Sequence, residues 1–298
     1  MKIALFSRHR VEHKKDEVER IFSAIERHGF EYCVNEEFAE VVEQLIGCSI
    51  APSQRYGSTT GELPPEAVMV CYGGDGTILE GLYRLSGRSV PIVGINSGRL
   101  GFLASGRGEI IEELFDDIAN NRLKIERRSM IEIEGEFAPK ECSAGRLFAA
   151  NELSVQRLGA TMISVETIVD GEAVATYYGD GVVLSTPTGS TAYSLSAGGP
   201  IVAPNCACFI ISPLASHNLS MRPLVIPNTS TIEMNIYSRE GDAAISLDNR
   251  TYPIGHQTKL TISLSKNKFL LATASNISFY ETLRKKMMWG VDLRNCEL

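Results

Sequence analysis

The apolar positions follow two rhythms along the chain. Up to about residue 121, short apolar runs alternate with stretches in which apolar side chains return every three or four residues. KIALF (2–6) is a short run and predicts a first strand. KKDEVERIFSAIERHGF (14–30) places Val18, Ile21, Phe22 and Ile25 on one helical face, with Gly29 as the stop. FEYCV (30–34) predicts a second strand, and EEFAEVVEQLIG (36–47) a second helix ended by Gly47. After a loop rich in Ser, Gly, Thr and Pro, EAVMVCY (66–72) predicts a third strand. TILEGLYRLSG (77–87) follows as a helix with Ile78, Leu79, Leu82 and Leu85 in register. VPIVGIN (90–96) is a fourth strand and GEIIEELFDDIANN (108–121) a further amphipathic helix. This βαβα order predicts a mostly parallel sheet covered by helices.

The rhythm changes near Lys124. From there to about Thr273 the sequence is β-branched, alternating and broken by turns. SMIEIEGEF, RLFAANELSVQR, TMISVETIVDGEAVATY, GVVLST, STIEMNIY, AAISLDN and KLTISLS all read as strands, with a hairpin turn at Asp170-Gly171. The tail, ISFYETLRKKMMWGVDL, is again amphipathic and helical. The expected fold is therefore α/β plus all-β. An N-terminal parallel-sheet α/β domain (1–124 with 276–298) precedes a C-terminal β-rich, sandwich-like domain (125–275). The last helix returns to the first domain.

Composition narrows the function. Of 298 residues, 44 % are hydrophobic and 22 % charged, as in a globular protein. No apolar run reaches the ~20 residues of a membrane helix, and the N-terminal apolar stretch is short for a secretory leader. The expectation is a cytoplasmic protein without a membrane partner. The net charge of −7 argues against nucleic acid as partner. An anionic small ligand would have to be met by backbone N–H groups and local cations. The seven cysteines form no C-x-x-C pair, which fits reduced thiols in apolar space and no zinc site.

Candidate chemistry starts at CYGGDGTILE (71–80). Gly73, Gly74 and Gly76 lie between a strand and a helix, where open α/β sheets bind ligands. Their N–H groups, with Thr77 and the helix start, form a phosphate cradle. The motif is neither a Walker A loop nor G-x-G-x-x-G. A carboxylate beside a phosphate would repel it unless it had its own task. Orienting a hydroxyl and accepting its proton during phosphoryl transfer is such a task for Asp75. An ordinary Asp-Gly turn is the plainer reading of the motif alone. Arg99 and Arg107 flank a nearby loop and suit either phosphate contact or solvent.

A second stretch, GDGVVLSTPTGSTAYSLSAGGPIV (179–202), crowds Gly, Ser and Thr around Asp180 and Tyr193 and suits a polyhydroxylated ligand. Together with GGDGT, NSGRLGFLA (96–104) and NELSV (151–155), it resembles the NAD kinase family in order and spacing across most of the chain. GGDGT by itself is shared with lipid kinases and phosphofructokinases; the later blocks are more specific. The resemblance implies transfer of the γ-phosphoryl of ATP to the 2′-hydroxyl of the adenosine ribose of NAD. Asp75 would accept the proton and Gly76 make a backbone contact. Asn151 and Glu152 would bind ribose, and Asp180 the nicotinamide end, in many members from a neighbouring subunit. Thr191, Ala192, Tyr193, Ser194, Leu195 and Ser196 would line the adenine region with Ser185 and Ala215 nearby, and Phe102 would pack on a base. Arg250 stands where the family often has glutamine, and Tyr178 where it often has a basic residue. Magnesium, or another divalent cation, would arrive with ATP, with no protein ligand assigned. The assembly implied is a homodimer or homotetramer. A lipid kinase on the same turn, or a non-catalytic NAD(P) sensor, are the competing readings. The polar 185–196 stretch disfavours the first and the presence of Asp75 the second.

Overall fold

The computed structural model describes residues 1–298 except 58–59, 61–62, 65, 99–100, 105, 136, 138–145, 240–242, 274–277 and 291–298. By internal contacts the chain divides into two units, 1–127 with 269–298, and 128–268.

The first unit opens with β1 (Lys2–Phe6), α1 (Lys15–Arg27), β2 (Glu31–Asn35) and α2 (Glu36–Ile46). The apolar face of α1 buries Val18, Ile21, Ala24 and Ile25. Helix α2 carries Glu36 and Glu37 in its first turn, which suits the positive end of the helix dipole. It stops at Gly47, whose φ of 70° is the left-handed conformation that glycine adopts without strain. There follow β3 (Arg55–Tyr56), β4 (Val68–Tyr72), α3 (Asp75–Arg84), β5 (Ile92–Asn96), β6 (Gly106–Arg107), α4 (Ile111–Ala119) and β7 (Lys124–Arg128).

The second unit is built of strands: β8 (Ile131–Gly135), β9 (Arg146–Ala149), β10 (Glu152–Arg157), β11 (Ile163–Val169), β12 (Glu172–Gly179) and β13 (Gly181–Ser185). After a short helix α5 (Tyr193–Ser196) come β14 (Cys208–Leu214), β15 (Leu224–Pro227), β16 (Ile232–Tyr237), β17 (Ala243–Leu247), β18 (Arg250–Ile254) and β19 (Gln257–Leu264). The chain then returns to the first unit as β20 (Phe269–Thr273) and α6 (Phe279–Met287).

The sheet of the first unit has the order β3-β2-β1-β4-β5-β20-β7, with β6 beside β5. The pairs from β3 through to β20, and that of β5 with β6, are parallel. Strands β4 and β5 are buried along their whole length. This is the unbroken apolar character of a parallel sheet covered on both faces. The second unit holds two six-stranded sheets, β15-β14-β13-β10-β17-β18 and β12-β11-β16-β19-β8-β9. Val155, Leu184, Ile211 and Ile245 of one sheet share a core with Ile133, Val165, Met234 and Ile262 of the other, as in a sandwich. Asp170 and Gly171, both at positive φ, make the tight turn between β11 and β12.

The structure departs from the sequence pattern in three places. Helix α3 begins at Asp75 rather than Thr77, so the motif's carboxylate belongs to the first helical turn. The run RLFAANELSVQR is two strands, not one. β9 pairs with β8 in one sheet, and β10 pairs with β13 and β17 in the other. Alternation of apolar residues continues across Ala150 and Asn151, so nothing in the period marks the crossing. Strands β14, β15, β18 and β20 also lie where the pattern is too short or too interrupted to stand out.

Candidate functional site

In the first unit the site is a strand-to-helix turn. Strand β4 runs into Gly73, whose N–H donates to the Ile95 carbonyl (2.8 Å) and whose φ is 146°. A Cβ on Gly73 would stand 2.4 Å from Thr77 Oγ1, so only glycine lets the turn fold so tightly over the helix start. Thr77 is fully buried, and its hydroxyl finds no hydrogen-bond partner among the described residues. The first turn of α3 also presents backbone N–H groups that lack an intrahelical acceptor. Together these make a polar, anion-favouring corner at the end of an apolar strand.

Asp75 heads that turn. Its carboxylate accepts two backbone hydrogen bonds, Oδ2 from the Phe102 N–H (2.7 Å) and Oδ1 from the Leu103 N–H (3.1 Å). Gly101 must be glycine here, since a Cβ would overlap Asp75 Oδ1 at 1.6 Å. The two donors fix the carboxylate's direction, and each oxygen keeps a further lone pair for a substrate hydroxyl. Phe102 is half-buried. Its ring centroid lies 6.5 Å from that of Phe279 in α6, and Lys286 Nζ stands 4.6 Å from its centre. Of the two arginines flanking this loop, Arg99 lies outside the described residues, as does the side chain of Arg107.

In the second unit the predicted NAD residues gather where the chain crosses between sheets. Asn151 and Glu152 are buried there, 9 % and 8 % exposed. Asp248, in the turn between β17 and β18, accepts from the N–H groups of Ala150 (3.0 Å), Asn151 (2.8 Å) and Glu152 (3.3 Å). From the other side Thr186 donates its N–H to the Asn151 carbonyl (2.8 Å) and its hydroxyl to that of Ala150 (2.5 Å). Gly189 packs so closely on this crossing that a Cβ would stand 2.2 Å from the Asn151 oxygen. The crossing is thus clamped by a carboxylate, a hydroxyl and a glycine.

Glu152 is electrostatically unusual. Burial, then the Asp248 charge, push its carboxyl up to about 8, partly offset by the Tyr193 N–H. Its Oε2 is buried with no hydrogen-bond partner among the described residues. A protonated carboxyl at neutral pH can donate as well as accept. Asp248 is also pushed up by burial, and the N–H groups around it pull it back.

The remaining predicted residues lie nearby. Ser185 is fully buried directly opposite Glu152 in the β10–β13 pair. Tyr193 heads α5, donates to Gln156 Oε1 (3.3 Å), and has its hydroxyl pushed up by burial and by the charges of Asp180 and Glu152. Ser194 Oγ stands 3.4 Å from Ser212 Oγ. Thr191 ends a 3-10 turn, and Ala192 and Leu195 complete the segment that leads through α5 to Ser196. Asp180 is half-exposed and held by Arg157 Nε at 2.6 Å. Ala215 has a φ of 42°, and its carbonyl would be 2.6 Å from a Cβ on Gly179. Arg250 donates to the Phe148 carbonyl (2.5 Å), with its guanidinium 5.6 Å from the Phe148 ring centre.

Sequence reasoning missed Asp248, Arg157, Thr186 and Gly189. Asp248 sits in an Asp-Asn pair of the kind found in many hairpin turns, and Thr186 and Gly189 stand unremarked inside the polar stretch; their partners are far away in sequence. Gly73, Gly74, Gly76, Thr77, Asp75 and Phe102 belong to the first unit and the other predicted residues to the second. Among the described residues no three His, Cys, Asp or Glu side chains converge as a metal cage. A magnesium ion carried on nucleotide phosphates keeps its waters and needs no such cage, so the residues present are compatible with it.

A glycine-rich strand-to-helix turn holding one oriented carboxylate, on an α/β unit joined to a β-rich unit, is an arrangement suited to a phosphotransferase that acts on an alcohol. The sequence model of the ATP-NAD kinase N-terminal domain matches residues 3–123, and that of the C-terminal domain residues 150–274. The NAD kinase of Cytophaga hutchinsonii is 36 % identical over 93 % of this chain and 94 % of its own. That of Flavobacterium psychrophilum is 35 % identical over 99 % and 100 %. Among solved structures, an NAD kinase from Archaeoglobus fulgidus in complex with ATP superposes with a TM-score of 0.73 at 27 % identity, covering 97 % of this chain and 99 % of that one. Yeast NADH kinase complexed with NADH shares the fold, with a TM-score of 0.86 at 22 % identity over 100 % and 90 %. The chain belongs to the ATP-NAD kinase family.

Proposed function

We infer that this chain phosphorylates NAD at the 2′-hydroxyl of its adenosine ribose, with Asp75 as the group that takes the hydroxyl proton. The enzyme is an NAD kinase, using ATP and forming NADP. As the 2′-oxygen bonds to the γ-phosphorus, the bond from that phosphorus to the bridging oxygen breaks and ADP leaves. The proton passes to Asp75. The observation that carries this reading is the Asp75 carboxylate itself, aimed by two backbone N–H donors at the start of a phosphate-favouring helix. Gly73, Gly74, Gly76 and Thr77 cradle donor phosphate. A divalent cation, magnesium by preference, neutralises phosphate charge when bound with the nucleotide.

Asn151 and Glu152 bind the ribose side of NAD, and the neutral carboxyl of Glu152 donates a hydrogen bond there. Thr191 through Ser196 line the adenine, with Ser185 and Ala215 beside them. Asp180 meets the nicotinamide end, from a neighbouring subunit of a homodimer or homotetramer. Phe102 stacks on a base, and Arg250 supplies a local cation. No helix among the described residues is long and apolar enough to cross a membrane; the site of action proposed is the cytoplasm.

The test is a steady-state assay of the purified chain with ATP and magnesium, offering NAD and diacylglycerol as acceptors. NADP formation with no lipid phosphorylation is expected. Binding of NAD without turnover would instead make the protein a sensor.

A further inference from the structure

Outside the residues considered so far, the first unit holds a cavity of about 470 Å³ at the carboxyl ends of its strands. That volume falls in the range of small-ligand sites, roughly 300–1,000 Å³. Phe6, the last residue of β1, lines it together with the loop Arg8-His9-Arg10. Arg84 and Glu80 of α3 also line it and form an ion pair at 3.1 Å, with the Arg84 guanidinium 5.8 Å from the Phe6 ring centre. Glu37 is the other acidic residue of the lining. Three arginines therefore face two glutamates, and one arginine is already neutralised.

Arg8 and Arg10 are the cations left over. Neither guanidinium takes part in a hydrogen bond or ion pair among the described residues. The loop that carries them is not slack. Ser7 Oγ donates to the Tyr72 carbonyl (2.7 Å) and pairs with His13 Nε2 (2.9 Å), and the Val11 N–H closes a turn on the Arg8 carbonyl (3.1 Å). Arg8 is thereby laid against the GGDGT turn. A Cβ on Gly76 would be 2.8 Å from Arg8 Nη2. An unpaired guanidinium held against a phosphate-favouring turn, lining a cavity with a second free arginine, has the chemistry of a polyphosphate clamp.

We propose that this cavity takes the polyphosphate arm of the phosphoryl donor, with Arg8 on the phosphates nearest Gly76 and Arg10 on those further out. The inference rests on the kinase reading above and adds residues to the donor side. Arg8→Ala, Arg8→Lys and Arg10→Ala are compared with the parent chain, varying ATP at saturating NAD and then the reverse. Inorganic tripolyphosphate serves as a competitive probe. Arg8→Ala should raise the KM for ATP about tenfold or more and the inhibition constant of tripolyphosphate in parallel, with the KM for NAD within about twofold. Arg8→Lys should recover part of the loss, and Arg10→Ala should show a smaller rise. An unchanged KM for ATP, or an equal rise in the KM for NAD, overturns the proposal. Should the parent chain form no NADP, the kinase reading fails, yet calorimetry with tripolyphosphate still decides. Binding by the parent that Arg8→Ala loses sustains the clamp, and equal or absent binding in both ends it.

Discussion

Two aspartates in this molecule are held by the same device in different surroundings. Asp75 accepts N–H groups from Phe102 and Leu103, and Asp248 accepts those of Ala150, Asn151 and Glu152. Around Asp75 the neighbours are glycines, with Gly101 packed flat on the carboxylate, so a substrate atom can come close. Around Asp248 the neighbour is a second carboxyl, Glu152, whose proton affinity Asp248 helps to raise. A carboxylate in a ring of backbone donors thus has the setting the proposed proton acceptor needs where glycine backbone surrounds it. Where another acid is buried beside it, it becomes a brace that also sets its neighbour's protonation.

The contrast breaks most readily at Asp75. Asp75→Asn keeps an oxygen for one N–H but cannot accept a proton. NADP formation should fall about 10²–10⁴-fold while NAD affinity stays within a few-fold. Equal losses in rate and affinity, from kinetics and calorimetry, would show Asp75 to be a positioning group as well. Next is the brace. Asp248→Ala strands three N–H groups and should lower stability by at least about 2 kcal/mol, read from urea denaturation. A variant as stable as the parent would refute the brace.

A smaller effect separates the two sites by pH. In the folded chain Glu152 keeps its proton up to about 8, against an ordinary value of 4.5. Between those values the folded state binds more protons than the unfolded one, so this residue's contribution to stability falls as pH rises through the window. Glu152→Gln carries no proton to lose and should flatten the decline between pH 5 and pH 8.5, by at most a few kcal/mol. Identical slopes for parent and variant would remove the perturbed carboxyl. The smallest change expected is from Arg157→Ala. The Arg157–Asp180 pair is 33 % and 47 % exposed, so its loss should cost about 0–1 kcal/mol in the same measurement. A larger loss would mean that the pair anchors more than itself.

Much of this arrangement is legible in local pattern. The period of three to four in α1 and α2, the apolar β4 and β5, and the hairpin at Asp170-Gly171 each follow from side chains within a few residues of one another. So does the GGDGT turn, because glycine's freedom and the helix start are local properties. The family resemblance is local in the same sense, carried by short blocks in order.

What sequence alone determined is the alternation of strands and helices, the β-rich second half, and the place of Asp75 between a strand and a helix. Tertiary structure decided that RLFAANELSVQR breaks at Asn151 to join two sheets, and that Phe269–Thr273 adds to the parallel sheet. It also decided that Asp248 reaches back 97 residues to hold Asn151 and that Arg8 lies against Gly76. The physical reason is range. Periodicity and turn chemistry act over one or two turns of chain, whereas sheet membership, a buried carboxyl's charge and a cavity's lining depend on partners that only the closed fold brings together.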